Sequence, residues 1–140
     1  MIRNLLALSI LVLIIIAFSC DGGNSTIEVN CAECYVNEPD SFELEVELTI
    51  NSVYDSAYLV FYTGNIESGK LSWEGWVFTP TFYHLVPVDN DYSVKASYTN
   101  NGKTIIAVDG DKMVSRFMID ACDVDCWIVK GGYLDVRLKY

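Results

Sequence analysis

The stretch from Phe42 to Ile50 reads FELEVELTI, and its apolar and polar side chains alternate without a break. Successive side chains of a β-strand point to opposite faces, so this pattern predicts a strand with one buried face and one solvated face. A helix needs a period of 3.6 residues, which the alternation excludes here. The three glutamates on the polar face predict a solvated surface, balanced by Arg137 and Lys139 on an adjacent strand; a patch that attracts cations is the alternative.

Further segments along the chain have the composition of strands. Asn101-Gly102 lies between two of them and supplies the positive φ angles of a tight hairpin. No segment combines a sustained helical period with capping residues. The other predicted strands cover 57–63, 71–79, 82–88, 92–99, 103–108, 113–119 and the alternating end at 134–138. Seven or eight short strands predict a single all-β domain, an antiparallel two-sheet sandwich, with a small β-barrel as the alternative.

The segment from Val88 to Val94 reads VDNDYSV. It resembles the tyrosine corner, the entry to strand F of immunoglobulin-like and fibronectin type III domains, and the resemblance extends to Gly110. In those domains the tyrosine hydroxyl bonds a backbone group just upstream, which the resemblance implies for Tyr92. The chain departs from the immunoglobulin pattern because its cysteines lie at the two ends of the domain and not on strands B and F.

An apolar run from Leu5 to Phe18 follows a short N-terminal region whose one cation is Arg3. A bilayer-spanning helix needs about 20 apolar residues, whereas the core of a signal peptide needs about 7–15. The run therefore predicts a signal peptide.

The tetrapeptide AFSC that ends at Cys20 resembles the lipobox of exported bacterial lipoproteins. The resemblance implies that residues 1–19 are a cleaved signal peptide and that the Cys20 thiol carries a fatty acyl chain such as palmitate. Residues 20–27 then form the lipidated cysteine and a flexible tether, and residues 28–140 form the sandwich domain. A plain secreted protein and an uncleaved anchor are the alternatives.

Four further cysteines remain, in the motifs CAEC and CDVDC: Cys31, Cys34, Cys122 and Cys126. An even count in an exported protein predicts two disulfides, for which three connectivities are open. A four-thiolate zinc site and a redox-active CxxC pair are the alternatives. The export signal favours disulfides because zinc requires reduced thiols.

The formal net charge is -10. So acidic a chain is repelled by phosphate backbones and by anionic lipid head groups. We therefore expect no binding to nucleic acid, and membrane contact through the lipid alone.

No recognisable catalytic motif is present, and the one histidine, His84, lies inside the strand-like TFYHLVPV. A lone histidine in a strand is typical of a packed or surface residue. We therefore expect neither an enzyme nor a bound cofactor.

Acidic residues cluster at two places that resemble turns, where Asp89, Asp91, Asp109 and Asp111 are candidate calcium ligands. No EF-hand loop is present. Asp and Asn also populate turns because they tolerate left-handed backbone conformations, and this second interpretation is favoured over a metal site.

Aromatic side chains concentrate in SWEGWVF, which holds Trp73, Trp76 and Phe78. The two tryptophans differ by three positions, so an extended strand points them to opposite faces, unless Glu74-Gly75 forms a turn or bulge. Exposed aromatic rings beside carboxylates bind sugar rings or anchor protein partners, so these three residues are candidate partner-binding residues. The alternative is that one or both tryptophans fill the core.

Together these features predict a non-enzymatic lipid-anchored protein of the cell envelope, at the outer membrane, cell surface or periplasm. Its domain would bind a protein or glycan partner. A structural accessory subunit of an envelope assembly, without a small-molecule site, is the alternative.

Overall fold

A computed structural model describes residues 29–139 of the chain. A short 3-10 helix, Cys31–Glu33, precedes the strands of this part of the chain. The strands are β1 (Ser41–Glu47), β2 (Ala57–Thr63), β3 (Lys70–Val77), β4 (Thr81–Pro87), β5 (Asn90–Asn100), β6 (Lys103–Met118), β7 (Cys126–Lys130) and β8 (Tyr133–Asp135).

The strands form two sheets, one with the order β4-β1-β8 and one with the order β3-β2-β5-β6-β7. The sheets face each other across a shared core and neither closes on itself, which confirms the predicted β-sandwich over the barrel. The orders β4-β1 and β3-β2-β5-β6 correspond to E-B and C′-C-F-G of immunoglobulin-like sandwiches. One departure is β8, which pairs with β1 in parallel, whereas the other strand pairs of the described residues are antiparallel.

Strand β5 lies at the centre of the larger sheet and has the alternation that the sequence predicts. Its inward side chains are all buried: Tyr92, Val94, Ala96 and Tyr98. The Tyr98 hydroxyl donates to the Val136 carbonyl at 2.9 Å and accepts from the Thr49 amide at 3.2 Å. One side chain thus links the larger sheet to the chain segments that follow β1 and β8.

The hairpin after β5 is the predicted one, because Asn101 and Gly102 both have positive φ angles, 50° and 73°. The strand that follows is longer than predicted. The sequence suggests two strands separated by a turn at Asp109-Gly110-Asp111, but β6 runs through this triplet without interruption. That interpretation of the triplet as a turn is wrong. The C-terminal end of β6 pairs with β7, a strand that the sequence pattern did not indicate.

Two disulfides join the beginning of the domain to its end: Cys31–Cys122 and Cys34–Cys126, with Cα atoms 5.6 and 5.4 Å apart. They confirm the disulfide prediction and select one of the two connectivities that link the beginning of the domain to its end, with sequence separations of 91 and 92. A loop of this length corresponds to about 4–5 kcal/mol in the chain-entropy model. Paired sulfurs are not available as zinc thiolates, and they indicate an oxidising, non-cytoplasmic compartment.

The predicted signal peptide (1–19), Cys20 and the tether (20–27) lie outside the described residues. Between residues 29 and 139, no helix has the length and apolar character needed to cross a bilayer.

Candidate binding surface

The outer face of the larger sheet carries an exposed group of aromatic and aliphatic side chains. The pairing register arranges them in three rows that cross β3, β2 and β5. We call these nine residues the aromatic face: Trp76, Tyr58 and Ser97 in the first row, Glu74, Val60 and Lys95 in the second, and Leu71, Tyr62 and Ser93 in the third.

Trp76 is the most prominent aromatic side chain of this face. Trp76 is 56% exposed, and its ring meets the Tyr58 ring edge-on, with centroids 5.2 Å apart and an interplanar angle of 65°. Val60, in the next row, is only 6% exposed although it points outward. The neighbouring side chains therefore cover the centre of the face, and Trp76 is held in place by an edge-to-face contact of a kind worth about 0.5–1.5 kcal/mol.

Partial burial and the neighbouring Glu74 carboxylate, in that order, raise the pKa of the Tyr58 hydroxyl. The hydroxyl therefore stays protonated and can donate a hydrogen bond at any physiological pH. An aromatic ring, a phenol and a carboxylate thus lie side by side on adjacent strands.

Trp73 points to the opposite side of β3, as the spacing of the two tryptophans predicts. Its ring stacks on Phe82 at 5.0 Å and contacts Phe61 at 5.8 Å in the gap between the two sheets. Gly75 makes room for the indole, because a Cβ there would lie 2.8 Å from a Trp73 ring atom. Trp73 thus packs against the core, the alternative that the sequence left open.

The alternative of a turn or bulge at Glu74-Gly75 does not hold, because both residues keep the regular register with β2. The irregularity lies one step earlier, opposite Phe61 and Tyr62, where Ser72 is the extra residue. Phe78 follows the end of β3 and is 68% exposed. It lies outside the three rows, although at the end of the strand where Trp76 is found.

Beside Tyr62 the outer face falls into two adjoining shallow depressions of about 340 and 380 Å³. Asn65, Ser93 and Gly110 line both of them. The surface is low there because Ser93 has a small side chain and Gly110 has none. The β2–β3 connection forms a wall beside it. The aromatic face is therefore concave at its Tyr62–Ser93 end.

Two of the candidate calcium ligands accept hydrogen bonds from backbone amides in β8 or directly before it. The Asp109 carboxylate accepts from the Asp135 amide at 2.7 Å. The Asp111 carboxylate accepts from the amides of Gly132 and Tyr133 at 2.7 and 3.3 Å. Inward-pointing carboxylates of β6 thus accept hydrogen bonds from backbone amides at the free edge of the smaller sheet. This explains why the Asp109-Gly110-Asp111 triplet lies within strand β6 and not in a turn.

The other two candidates lie apart from this pair. The Asp89 carboxylate accepts from the amide and the hydroxyl of Ser115, both at 2.9 Å. Asp89 also has a φ of 59°, the left-handed turn conformation expected in the non-metal interpretation. Asp91 is exposed and lines the first depression. Among residues 29–139 no cluster of three or more His, Cys, Asp or Glu side chains could hold a metal ion.

His84 lies on the inward face of β4, in the same aromatic cluster as Trp73. Its ring is 5.7 Å from the Trp73 ring and 5.5 Å from the Phe61 ring. Burial lowers the pKa of its imidazole. The neutral ring therefore serves as a packing element at the edge of the core.

The glutamates of β1 point outward on the smaller sheet, as predicted. Glu43 is exposed, Glu45 and Glu47 are half-buried, and Glu47 accepts from the Thr81 hydroxyl at 2.9 Å. Their carboxylates give this second outer face a strongly negative character.

The predicted partners of these glutamates bind a different carboxylate. The Arg137 guanidinium donates two hydrogen bonds to the Asp135 carboxylate, at 2.8 and 3.0 Å, and the Lys139 ammonium lies 3.9 Å from the same group. The Arg137 hydrogen bond is the main reason why the pKa of Asp135 falls to about 2. Arg137 therefore binds the Asp135 carboxylate, two residues away in sequence, and not the glutamates of the neighbouring strand β1.

Of the nine residues of the aromatic face, only Trp76 is indicated as a binding residue by the sequence pattern. The alternation of 58–62 and 93–97 marks which side chains share a face, but not which strands lie side by side. Comparison of the chain with protein-family models, with curated proteins and with solved structures finds no match in any of the three.

Proposed function

We propose that this chain is a non-enzymatic, lipid-anchored protein of the cell envelope whose sandwich domain binds a protein or glycan partner through the aromatic face. The observation that carries the proposal is Trp76, more than half exposed and fixed against Tyr58 beside a carboxylate. Large exposed aromatic side chains with few rotatable bonds anchor partners at low cost in conformational entropy.

The chemistry of the surface supports both kinds of partner. An indole ring offers an apolar surface to the C–H face of a sugar, while Glu74 and the Tyr58 hydroxyl offer an acceptor and a donor for its hydroxyl groups. The same combination, with polar side chains around an aromatic centre, is typical of protein interfaces.

The anchor is proposed from the AFSC motif and from the compartment that the disulfides indicate. Mass spectrometry of the membrane-extracted, unreduced protein tests it, and we expect an acylated Cys20 as the first residue. A Cys20→Ser variant should lose membrane attachment. An unmodified Cys20 in the membrane fraction would contradict the anchor without affecting the binding surface.

The binding function is tested with Trp76→Ala, assayed on a glycan array and by affinity purification from membranes. We expect binding at least about tenfold weaker, the usual effect of truncating an aromatic anchor. Tyr83→Ala is the matched control, because Tyr83 is similarly exposed, at 55%, on the other sheet. Equal losses in both variants, or full binding by Trp76→Ala, would refute the assignment of this face.

A specific observation also favours the second candidate, a structural accessory subunit. Ile106 and Val108 of β6 are 59% and 58% exposed and extend the aromatic face sideways as an aliphatic margin. A broad apolar margin is typical of permanent assemblies. Stoichiometric co-purification of a fixed partner, lost in Val108→Asp and retained in Trp76→Ala, would favour this second function.

A further inference from the structure

We propose that the partner of the aromatic face is a second copy of this chain, packed face to face across a two-fold axis that runs along the strands. This inference rests on the proposed function, since it names the occupant of the same surface. It follows from how size and charge are distributed over the three rows.

The two sides of the aromatic face differ in size. On β3 the outer side chains of the first and third rows are large, Trp76 and Leu71, and both are at least half exposed. In the same two rows β5 carries the small side chains Ser97 and Ser93. The face therefore has a raised side over β3 and a low side over β5, with the β2 residues between them.

The charged side chains of the aromatic face are also divided between its β3 side and its β5 side. In the middle row Glu74 lies on β3 and Lys95 on β5, on either side of Val60. Two strand spacings separate them, about 10 Å, and neither takes part in an ion pair within 4 Å in the part of the chain that is described.

A two-fold axis parallel to β2 places β3 of each copy over β5 of the other. Glu74 of one copy then faces Lys95 of its partner, twice, and Trp76 faces Ser97. The raised side of each face meets the low side of the other, as an isologous interface requires. An axis across the strands would set Glu74 against Glu74 and Lys95 against Lys95, so the charges select the first arrangement.

The charge of the whole molecule also points to this face. With a net charge of -10, two copies repel each other in most orientations. The outer face of the smaller sheet carries Glu43, Glu45 and Glu47, so two copies of that face repel each other. The aromatic face holds one carboxylate and one ammonium group, so it is the neutral sheet surface.

The expected interface is small. The three strands of the face, spaced about 4.8 Å apart, give a contact roughly 14 Å wide, which is below the usual 800 Å² or so for each partner of a stable complex. We therefore expect a weak pair in dilute solution and a stronger one when both copies are confined to a membrane, because confinement raises the effective concentration.

The test uses full-length chains with two different affinity tags, which are co-expressed, cross-linked in intact membranes and then purified through the first tag. Wild-type copies should capture each other. Glu74→Lys with itself and Lys95→Glu with itself place like charges together and should lower capture about tenfold. Glu74→Lys mixed with Lys95→Glu creates two attractive contacts across the interface and should restore capture to the wild-type level.

Lys103→Glu is the matched control, because this exposed lysine at the hairpin tip lies outside the three rows. Melting temperatures confirm that each variant folds. Failure of wild-type copies to capture each other, or a mixture that pairs no better than each single variant, would overturn the self-pairing. If that occurs while Trp76→Ala still abolishes binding of a glycan or another protein, the self-pairing fails alone and the binding function stands.

Discussion

The hydroxyl of Tyr92 donates a hydrogen bond to the carbonyl of Pro87, five residues upstream, and so closes the corner between the two sheets. Tyr92 is 2% exposed, so the bond is shielded from water. The resemblance of VDNDYSV to a tyrosine corner implied this contact from sequence, and the contact is confirmed. The corner turns the chain from β4 in the smaller sheet into β5, the central strand of the larger sheet.

Removal of this hydroxyl should destabilise the fold. In Tyr92→Phe the Pro87 carbonyl loses its partner, and we expect a loss of about 1–2 kcal/mol in the free energy of unfolding. Chemical denaturation monitored by circular dichroism measures it. Tyr83→Phe, on the exposed outer face of β4, should stay within about 0.5 kcal/mol of wild type. Equal stabilities of wild type and Tyr92→Phe would show that the corner is held by packing alone.

The space above Gly75 should not tolerate a methyl group. A Cβ at this position would lie 2.8 and 2.9 Å from two atoms of the Trp73 ring, so the indole must leave its stack on Phe82. We expect Gly75→Ala to cost about 1–3 kcal/mol and to shift tryptophan fluorescence to the red. Ser72→Ala on the same strand is the control, since Ser72 is exposed. An unchanged emission spectrum in Gly75→Ala would contradict this packing.

Part of this architecture could be predicted from the sequence. The alternation in 92–99 and Asn101-Gly102 specify a strand and a hairpin locally, and both are confirmed. The Asp109-Gly110-Asp111 triplet could not be interpreted in this way, because its inward carboxylates make sense only once β8 lies opposite them. The aromatic face was missed for a similar reason: Glu74 and Lys95 share a row through the register of two strand pairs, which no local pattern encodes.

Stability should depend on pH through Asp135. Its pKa falls from 3.8 to about 2, chiefly because Arg137 donates a hydrogen bond to it. A carboxyl group with a lowered pKa contributes its stability above the unfolded-state value and loses it as pH falls through the folded-state value. The stability difference between wild type and Asp135→Asn should therefore be constant above pH 5 and shrink between about pH 4 and 2. A difference that stays constant down to pH 2 would contradict the coupling.

The acidic side chains of β6 should stabilise the β8 edge and should not bind calcium. In Asp111→Ala the amides of Gly132 and Tyr133 lose their acceptor, which should cost about 1–3 kcal/mol. Asp91→Ala is the control, because that exposed carboxylate accepts no hydrogen bond from β8. The melting temperature of wild type should be the same in millimolar calcium and in chelator. A rise with calcium that Asp111→Ala abolishes would restore the metal interpretation.

The two disulfides should differ in their response to reductant. Cys31 is exposed, whereas Cys126, the first residue of β7, is only 1% exposed. Thiolate attack needs access to a sulfur, so limiting reductant should open Cys31–Cys122 first. Alkylation followed by mass spectrometry should then find label on Cys31 and Cys122 in the folded protein, and on all four sulfurs only in denaturant.

The fold should survive this first reduction. The Cys34–Cys126 bridge that remains still joins residues 92 positions apart, so it retains most of the roughly 4–5 kcal/mol that a single long loop closure supplies. We therefore expect Cys31→Ser/Cys122→Ser to lower the melting temperature by only a few degrees and Cys34→Ser/Cys126→Ser to lower it more, because the second pair also loses a buried contact at β7. Equal labelling of both pairs in the folded protein, or a larger loss in the first variant, would show that burial of Cys126 does not set the order.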